Sequence, residues 1–478
     1  MTKHPDLKRA QELSNQQNWD AAYVITDRHL SETPNDVDWL MLMTFIMMGT
    51  GKRAIAYSLA KRCVDLAPKD PSMYLNCGMA ANDLWMPAEA ERLYRRGMKI
   101  ARNPEQLAKF LVNLTGVYID NGRFEDAEEI CHQIIELKPD TVKGYANLGF
   151  CQVATKQWDK GWPNYRKCIG TEWRPKMVYA DEPEWDGVSR GTIVLYAEQG
   201  LGDMICFASM LPDMQVWAAE NESTLVLDMD WRLHNLFQRS FNSLAIYPTA
   251  GVTADKMRPE LKWKDEHCEI DYSLPMGQVA EYFRTSEDDF PRTPFLIPNK
   301  DEEYKWRSLF ESKAKPAIGI AWTGGHAKTG AHLKRLTLEQ LVPLFESIDA
   351  TWVSLQYKPC TTEIEQFRGE YPHIDLVEYP KTTLDKDYDQ TAGLVAALDA
   401  VVSVPTAVVH LAGALGVRTI AMEAPMRCWK YNAGNPFHPI TAQIPHSDDW
   451  DATIEETASY LKDLELEVRQ NEAERKKA

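Results

Sequence analysis

Several short stretches place reactive side chains beside backbone that must turn sharply. In Gly200-Leu201-Gly202-Asp203 a carboxylate follows a Gly-x-Gly turn. A carboxylate in a cleft at a strand's end can take a proton from a hydroxyl; at a helix start it can equally serve as an N-cap. Further on, Gly324-Gly325 leads into His326, Lys328, His332, Lys334 and Arg335. Ammonium and guanidinium groups beside a glycine-rich loop suit a diphosphate, although such a segment can also be a solvated loop. Thr406 and His410 lie four residues apart, hence on one face of a helix. A phosphate there would meet unpaired N–H groups, a hydroxyl and an imidazole. The plainer alternative is a capped core helix with a buried or surface histidine. Gln356 and Glu423 fall at strand ends, where a ribose or base could be read. The nine cysteines are scattered without a C-x-x-C pair. No metal is expected.

The elements that must position these groups are strand–turn–helix units. Thr192 to Tyr196 reads as a buried strand running into the Gly200 turn. Pro316 to Ala321 is a second strand, and a helix is expected from Thr337. Trp352 to Leu355 is a third strand, with Gln356 at its mouth. A helix is expected over Leu394 to Ala400, before the strand Val401–Val404, the Pro405-Thr406 turn and a further helix. Leu225–Met229 and Leu244–Tyr247 read as short strands. In open α/β sheets, ligands sit at the carboxyl ends of strands. Two α/β halves, 191–298 and 299–440, facing one cleft are expected, followed by a helical segment over 441–478. A connector over 171–190 is rich in proline, charge and aromatics, and Trp173 and Trp185 are expected to dock it.

The first third repeats. Ala22, Ala56 and Ala90 are 34 residues apart, Ala127 follows after 37 and Gly161 after 34. Pro34, Pro68 and Pro139 each follow their alanine by twelve residues. Small residues where two helices touch, with proline closing the second helix, resemble a tetratricopeptide repeat (TPR) array over residues 1–170. Such arrays leave a concave groove for peptides or proteins; this one could also pack on the α/β part or pair two copies of the chain. Trp19, Trp39, Trp85 and Trp158 are expected in packing.

The chain has 478 residues, 44% of them hydrophobic, and a formal charge of −17. That balance argues against a general affinity for nucleic acid or anionic membrane. The longest apolar stretch, Trp39–Met48, is too short to span a bilayer. The N-terminus is polar, without a signal-peptide core. A soluble, cytoplasmic protein in a reducing compartment is expected.

Three motifs in order, AEQGLGDMICFA (197–208), IGIAWTGG…KRLTLEQL (318–341) and ALDAVVSVPTAVVHLAGALG (397–416), resemble bacterial glycosyltransferases that carry N-terminal tetratricopeptide repeats. Their catalytic part is similar to ADP-heptose:lipopolysaccharide heptosyltransferases. The resemblance implies an α-solenoid followed by a GT-B fold of two Rossmann-like domains. It implies inverting, metal-independent transfer from a nucleotide-diphosphate sugar, without a cofactor, to a glycan or protein acceptor. By the same resemblance, Asp203 is the general base, and Lys334, Arg335, Thr406 and His410 hold the diphosphate. Gly200, Gly202, Gln356 and Glu423 are candidate nucleotide or sugar contacts. The family's aspartate before Thr406 is Pro405 here. A carboxylate that would contact the sugar or order the turn is missing, which keeps a second reading in view: a repeat scaffold with a degenerate transferase part.

Overall fold

A computed structural model describes residues 5–171, 174–177, 182–248, 270–313, 315–325, 330–446 and 449–475. The chain forms two compact units, Met1–Cys151 and Gln152–Ala478.

Ten helices make the repeats: α1 (Pro5–Asn15), α2 (Trp19–Glu32), α3 (Val37–Gly49), α4 (Arg53–Leu66), α5 (Pro71–Asp83), α6 (Pro87–Met98), α7 (Pro104–Asp120), α8 (Phe124–Leu137), α9 (Val142–Ala154) and α10 (Trp158–Arg166). Every turn inside a pair is built alike. Gln17, Gly51, Trp85, Gly122 and Lys156 all take left-handed backbone, with φ of 60°, 74°, 58°, 73° and 62°. The next N–H then reaches back five residues: Asn18 to Leu13 (2.9 Å), Lys52 to Met47 (2.8 Å), Met86 to Ala81 (2.9 Å), Arg123 to Tyr118 (2.9 Å) and Gln157 to Gln152 (2.8 Å). This is the Schellman ending, which satisfies the last carbonyls of the first helix. Five residues past each turn residue comes the small side chain of the repeat. Ala22, Ala56, Ala90 and Ala127 are fully buried. A Cβ on Gly161 would come within 2.9 Å of the Val153 nitrogen. The expected register therefore holds. Asp36, Asp70 and Asn103 cap α3, α5 and α7 through their side chains. Trp39 and Trp158 are buried, whereas Trp85 is only half-buried because it occupies the turn itself.

The last helix of the array belongs to the second unit. The Trp162 indole donates to the Arg284 carbonyl at 2.7 Å, and Arg166 pairs with Glu184 (2.7 Å) and Glu281 (2.6 Å). The division between units thus falls ahead of residue 170.

The second unit holds two parallel sheets. In the first, β1 (Thr192–Tyr196), β2 (Thr224–Asp228), β3 (Ala245–Tyr247) and β4 (Tyr272–Pro275) lie in the order β3-β2-β1-β4. In the second, β5 (Ala317–Ala321), β6 (Thr351–Ser354), β7 (Leu376–Glu378), β8 (Ala400–Ser403), β9 (Thr419–Met422) and β10 (Ala442–Ile444) lie in the order β10-β9-β8-β5-β6-β7. The strand order reverses between β1 and β4 in one sheet and between β5 and β8 in the other. Those are the switch points where a crevice opens at the strands' carboxyl ends. β5, β6, β8 and β9 are buried at every residue, as expected of parallel strands covered on both faces. The strand β10 lies beyond the expected boundary at 440.

Two helix placements differ from expectation. The helix expected over Leu394–Ala400 runs over Tyr388–Ala396, because the Asp387 side chain caps its start, and Ala400 already belongs to β8. The helix expected at Thr337 is confined to Val342–Phe345. The Thr337 hydroxyl instead accepts from the Gln340 N–H at 3.3 Å, closing a turn. In the connector, Trp185 is buried against Trp217 and Tyr282, as expected; Trp173 lies outside the described residues.

Candidate functional site

The helix Leu201–Ala208 follows β1, and the helix Ala407–Leu415 follows β8. Their starts meet: a Cβ on Gly202 would come within 2.9 Å of His410 Cδ2 and 3.4 Å of Ala407 Cα. Gly202 therefore serves close packing. Gly200 is the N-cap, with φ −71° and ψ 166°, and no side chain caps this helix. Asp203 is thus not an N-cap. Its carboxylate pairs with Lys430, an ammonium on the short helix Trp429–Asn432. The Lys430 side chain is 7% exposed and that of Asp203 29%, so the carboxylate keeps contact with solvent. Burial opposes charge on Lys430, but Asp203 and the thiols of Cys206 and Cys428 outweigh it and hold its pKa above the usual lysine value. Lys334 lies close enough to feel Cys428, Lys430 and Asp203. Burial lowers its pKa, and the charge of Lys430 adds to that.

One turn past Asp203, Cys206 faces two histidines. Its Sγ lies 3.1 Å from His410 Nδ1 and 4.0 Å from His438 Nε2, and the two ring nitrogens are 3.0 Å apart. All three residues are buried. Burial first, then the charge of His438, keeps His410 well below the usual histidine pKa; burial pushes His438 down to about 4. His410 therefore turns its Nδ1 into this cluster, while its Cδ2 edge lies against Gly202.

At the second switch point, Thr406 caps its helix and accepts from the Val408 N–H at 3.3 Å. Gly324 lies over it: a Cβ there would come within 2.3 Å of Thr406 Cγ2. Arg335 is exposed and bridges to Thr323 on the same loop. Gln356 is buried and, in its hydrogen-bonding orientation, accepts from the N–H groups of Trp322 (3.0 Å) and Thr323 (2.8 Å). It pins the β5 loop. Glu423 pairs with Arg427, and burial raises its pKa against that partner. Both expected nucleotide readers are thus engaged within the chain. His326 and Lys328 lie outside the described residues.

The connector reaches the first switch point through Arg174. Arg174 donates to Glu198 from Nη2 at 2.9 Å and from Nε at 3.2 Å, and to Gln278 Oε1 at 2.9 Å. Its guanidinium also stacks 4.2 Å from the Tyr165 ring. Arg174 and Glu198 are 2% and 1% exposed.

Sequence reasoning did not find Lys430, Cys206, His438, Arg174 or Glu198. Cys206 alone left a local signal, standing three residues after Asp203 on one helix face.

No family model matches the chain. Over 455 residues it is 23% identical to Protein FlbA of Caulobacter vibrioides, covering 90% of this chain and 74% of that protein. Among solved structures it is similar to MamA, at 20% identity and a TM-score of 0.29, over 33% of this chain and 91% of that one. A thermophilic TPR protein of Thermus thermophilus gives 21% identity and a TM-score of 0.30, over 34% and 87%. YrrB, a TPR protein with an unusual peptide-binding site, gives 13% identity and a TM-score of 0.28, over 34% and 82%. The architecture of this chain rests on its own geometry: TPR-like helix pairs, then a mixed α/β region with two parallel sheets. Among the described residues, no helix is long and apolar enough to cross a membrane.

Proposed function

We propose that the second unit is an inverting glycosyltransferase of the GT-B type, using a nucleotide-diphosphate sugar, and that the repeat array recruits its acceptor. The observation that carries this reading is the Asp203–Lys430 pair beside Lys334, at the carboxyl end of β1. In this mechanism Asp203 takes the proton of the acceptor hydroxyl while that oxygen attacks the anomeric carbon. The bond from that carbon to the diphosphate breaks, the diphosphate leaves with the electron pair, and the carbon inverts. Lys430 pairs with the carboxylate and aims it. Lys334, Arg335 and the Thr406 helix start meet the charge that grows on the diphosphate. His410, buried with Cys206 and His438, is not given a ligand contact.

The acceptor is proposed to be a protein. One groove of the array, about 380 Å³, is lined by Met41, Phe45 and Met79 together with Asp38 and Asn76. Adaptable apolar side chains beside an amide suit an extended peptide, whose main chain the amide can bond.

A second reading, a binding scaffold without turnover, is favoured by Pro405 in place of the family's carboxylate. The experiment is a thermal-shift screen of nucleotide sugars on the full chain, since a ligand that binds only the folded state raises its melting temperature. The transferase reading expects a shift with a nucleotide-diphosphate sugar, lost in Lys334→Met/Arg335→Met. A folded chain that shifts with no sugar nucleotide would support the scaffold instead.

A further inference from the structure

We propose that Cys206, His410 and His438 bind a zinc ion, which ties the helix after β1 to the helix after β8. The three donor atoms converge within 4.8 Å of one another. A tetrahedral zinc with thiolate and imidazole ligands places its nitrogens about 3.3 Å apart and sulfur about 3.6 Å from each. Here the nitrogens are 3.0 Å apart, and the sulfur lies 3.1 and 4.0 Å from them. The set has one thiolate and two imidazoles, a combination that favours zinc over the oxygen-seeking cations.

The surroundings are built for these rings. A Cβ on Gly413 would fall 2.1 Å from His438 Nδ1, and one on Gly202 would fall 2.9 Å from His410 Cδ2. Two glycines thus clear the space that the imidazoles fill. His438 Nδ1 lies 3.2 Å from the Pro439 carbonyl. A carbonyl only accepts, so Nδ1 carries the proton and Nε2 turns its lone pair toward Cys206 and His410. A backbone carbonyl fixing the far nitrogen is the usual outer support of a metal-bound histidine. Two buried polar atoms on neighbouring residues, Tyr431 Oη and Asn435 Oδ1, lack hydrogen-bond partners among the described residues. The Tyr431 ring lies 6.0 Å from that of His410, and the Asn435 amide nitrogen lies 3.2 Å from His438 Nε2. Both residues border the cluster, and water is proposed as the fourth ligand. The thiolate halves the charge of the ion, and Asp203 offsets Lys430 nearby. The ligands lie 204 and 28 residues apart in sequence, so no metal motif marks them. A buried sulfur and nitrogen site suits a staple between helices and leaves the transfer step free of metal.

The test is metal analysis of the full chain purified without chelator. About one zinc per chain is expected, falling below about a tenth in Cys206→Ser and in His438→Gln, with Cys360→Ser unchanged. Since a ligand variant can fail to fold, the parent chain is also loaded with cobalt after zinc removal. A thiolate-to-cobalt charge-transfer band is expected in the near ultraviolet, and zinc should compete it away. A parent chain with neither stoichiometric zinc nor the cobalt band overturns the proposal. So does zinc retained in full by folded Cys206→Ser and His438→Gln.

Discussion

The repeat array and the α/β unit are held together over different distances along the chain. In the array, each turn is closed by a bond five residues long, as from Lys52 to Met47, and each small residue meets the neighbouring helix. In the α/β unit the decisive contacts join residues far apart: Asp203 with Lys430, Cys206 with His438, and Arg174 with Gln278. A local defect in the array should therefore stay local and cost little. A single change at a long-range contact in the α/β unit should cost much more, because it strands a buried partner. Substitutions on the two sides of that contrast should differ in size, and the largest loss is expected at the buried ion pair.

Arg174→Met leaves Glu198 buried without its cation. Breaking a buried pair from one side costs about 3 to 5 kcal/mol, whereas replacing both partners is far milder. Urea unfolding of the second unit should show that loss for Arg174→Met and for Glu198→Met, and substantial recovery in the double variant. Additive losses would mean that the pair is not coupled.

Asp203→Asn should lower turnover by about two orders of magnitude or more, with donor affinity nearly intact. It also leaves Lys430 unpaired, so a lower melting temperature should accompany it, and Asp203→Asn/Lys430→Met should restore that temperature but not turnover. An Asp203→Asn enzyme that binds donor and turns over at the parent rate removes Asp203 from the mechanism.

The same contrast explains what the sequence could reveal. The 34-residue period was legible because small residues recur wherever helices touch. The turns were half hidden: Gly51 and Gly122 announce left-handed backbone, but Gln17, Trp85 and Lys156 occupy the same position without glycine. The strands were legible because parallel strands covered on both faces must be apolar throughout. Helix ends were less so, since Asp387 rather than the apolar run decides where Tyr388–Ala396 begins. At the site, the Gly-x-Gly turn and the Thr406 cap were readable because they are local. Lys430, His438 and Arg174 were not, because folding alone brings them to their partners. Nor could the sequence say that Gln356 and Glu423 are already engaged with Thr323 and Arg427.

In the array, Gly122→Ala puts a side chain where φ is 73°. A left-handed residue with a Cβ costs about 1 to 2 kcal/mol. Gln17→Gly is the converse at an exposed position with φ 60°, and should gain up to about 1 kcal/mol. Hydrogen exchange on the full chain should place each change in its own helix pair: faster in α7 and α8 for the first, slower in α1 and α2 for the second. An effect of Gly122→Ala spread evenly through α1 to α8 would break the claim of locality.

The smallest effect belongs to Asp120, at the end of α7. Burial pushes its pKa from 3.8 up to about 6, against a hydrogen bond from Asn82 that lowers it. A carboxyl raised in the fold holds its proton there at a pH where the unfolded chain has lost it. Between the unfolded and folded values the native state binds more protons, so its stability falls as pH rises. The penalty is absent below about pH 3, grows through the window and is complete above about pH 7. Asp120→Asn removes the ionisable group and keeps its shape. It should stabilise the array by about 1 kcal/mol at pH 7.5, because partial solvent contact weakens the full linkage. At about pH 3, below both values, Asp120 is mostly protonated in either state and the variant should match the parent. Urea midpoints of the array transition at the two pH values check this. A gain of equal size at both would mean that the substitution acts through packing and not through the proton.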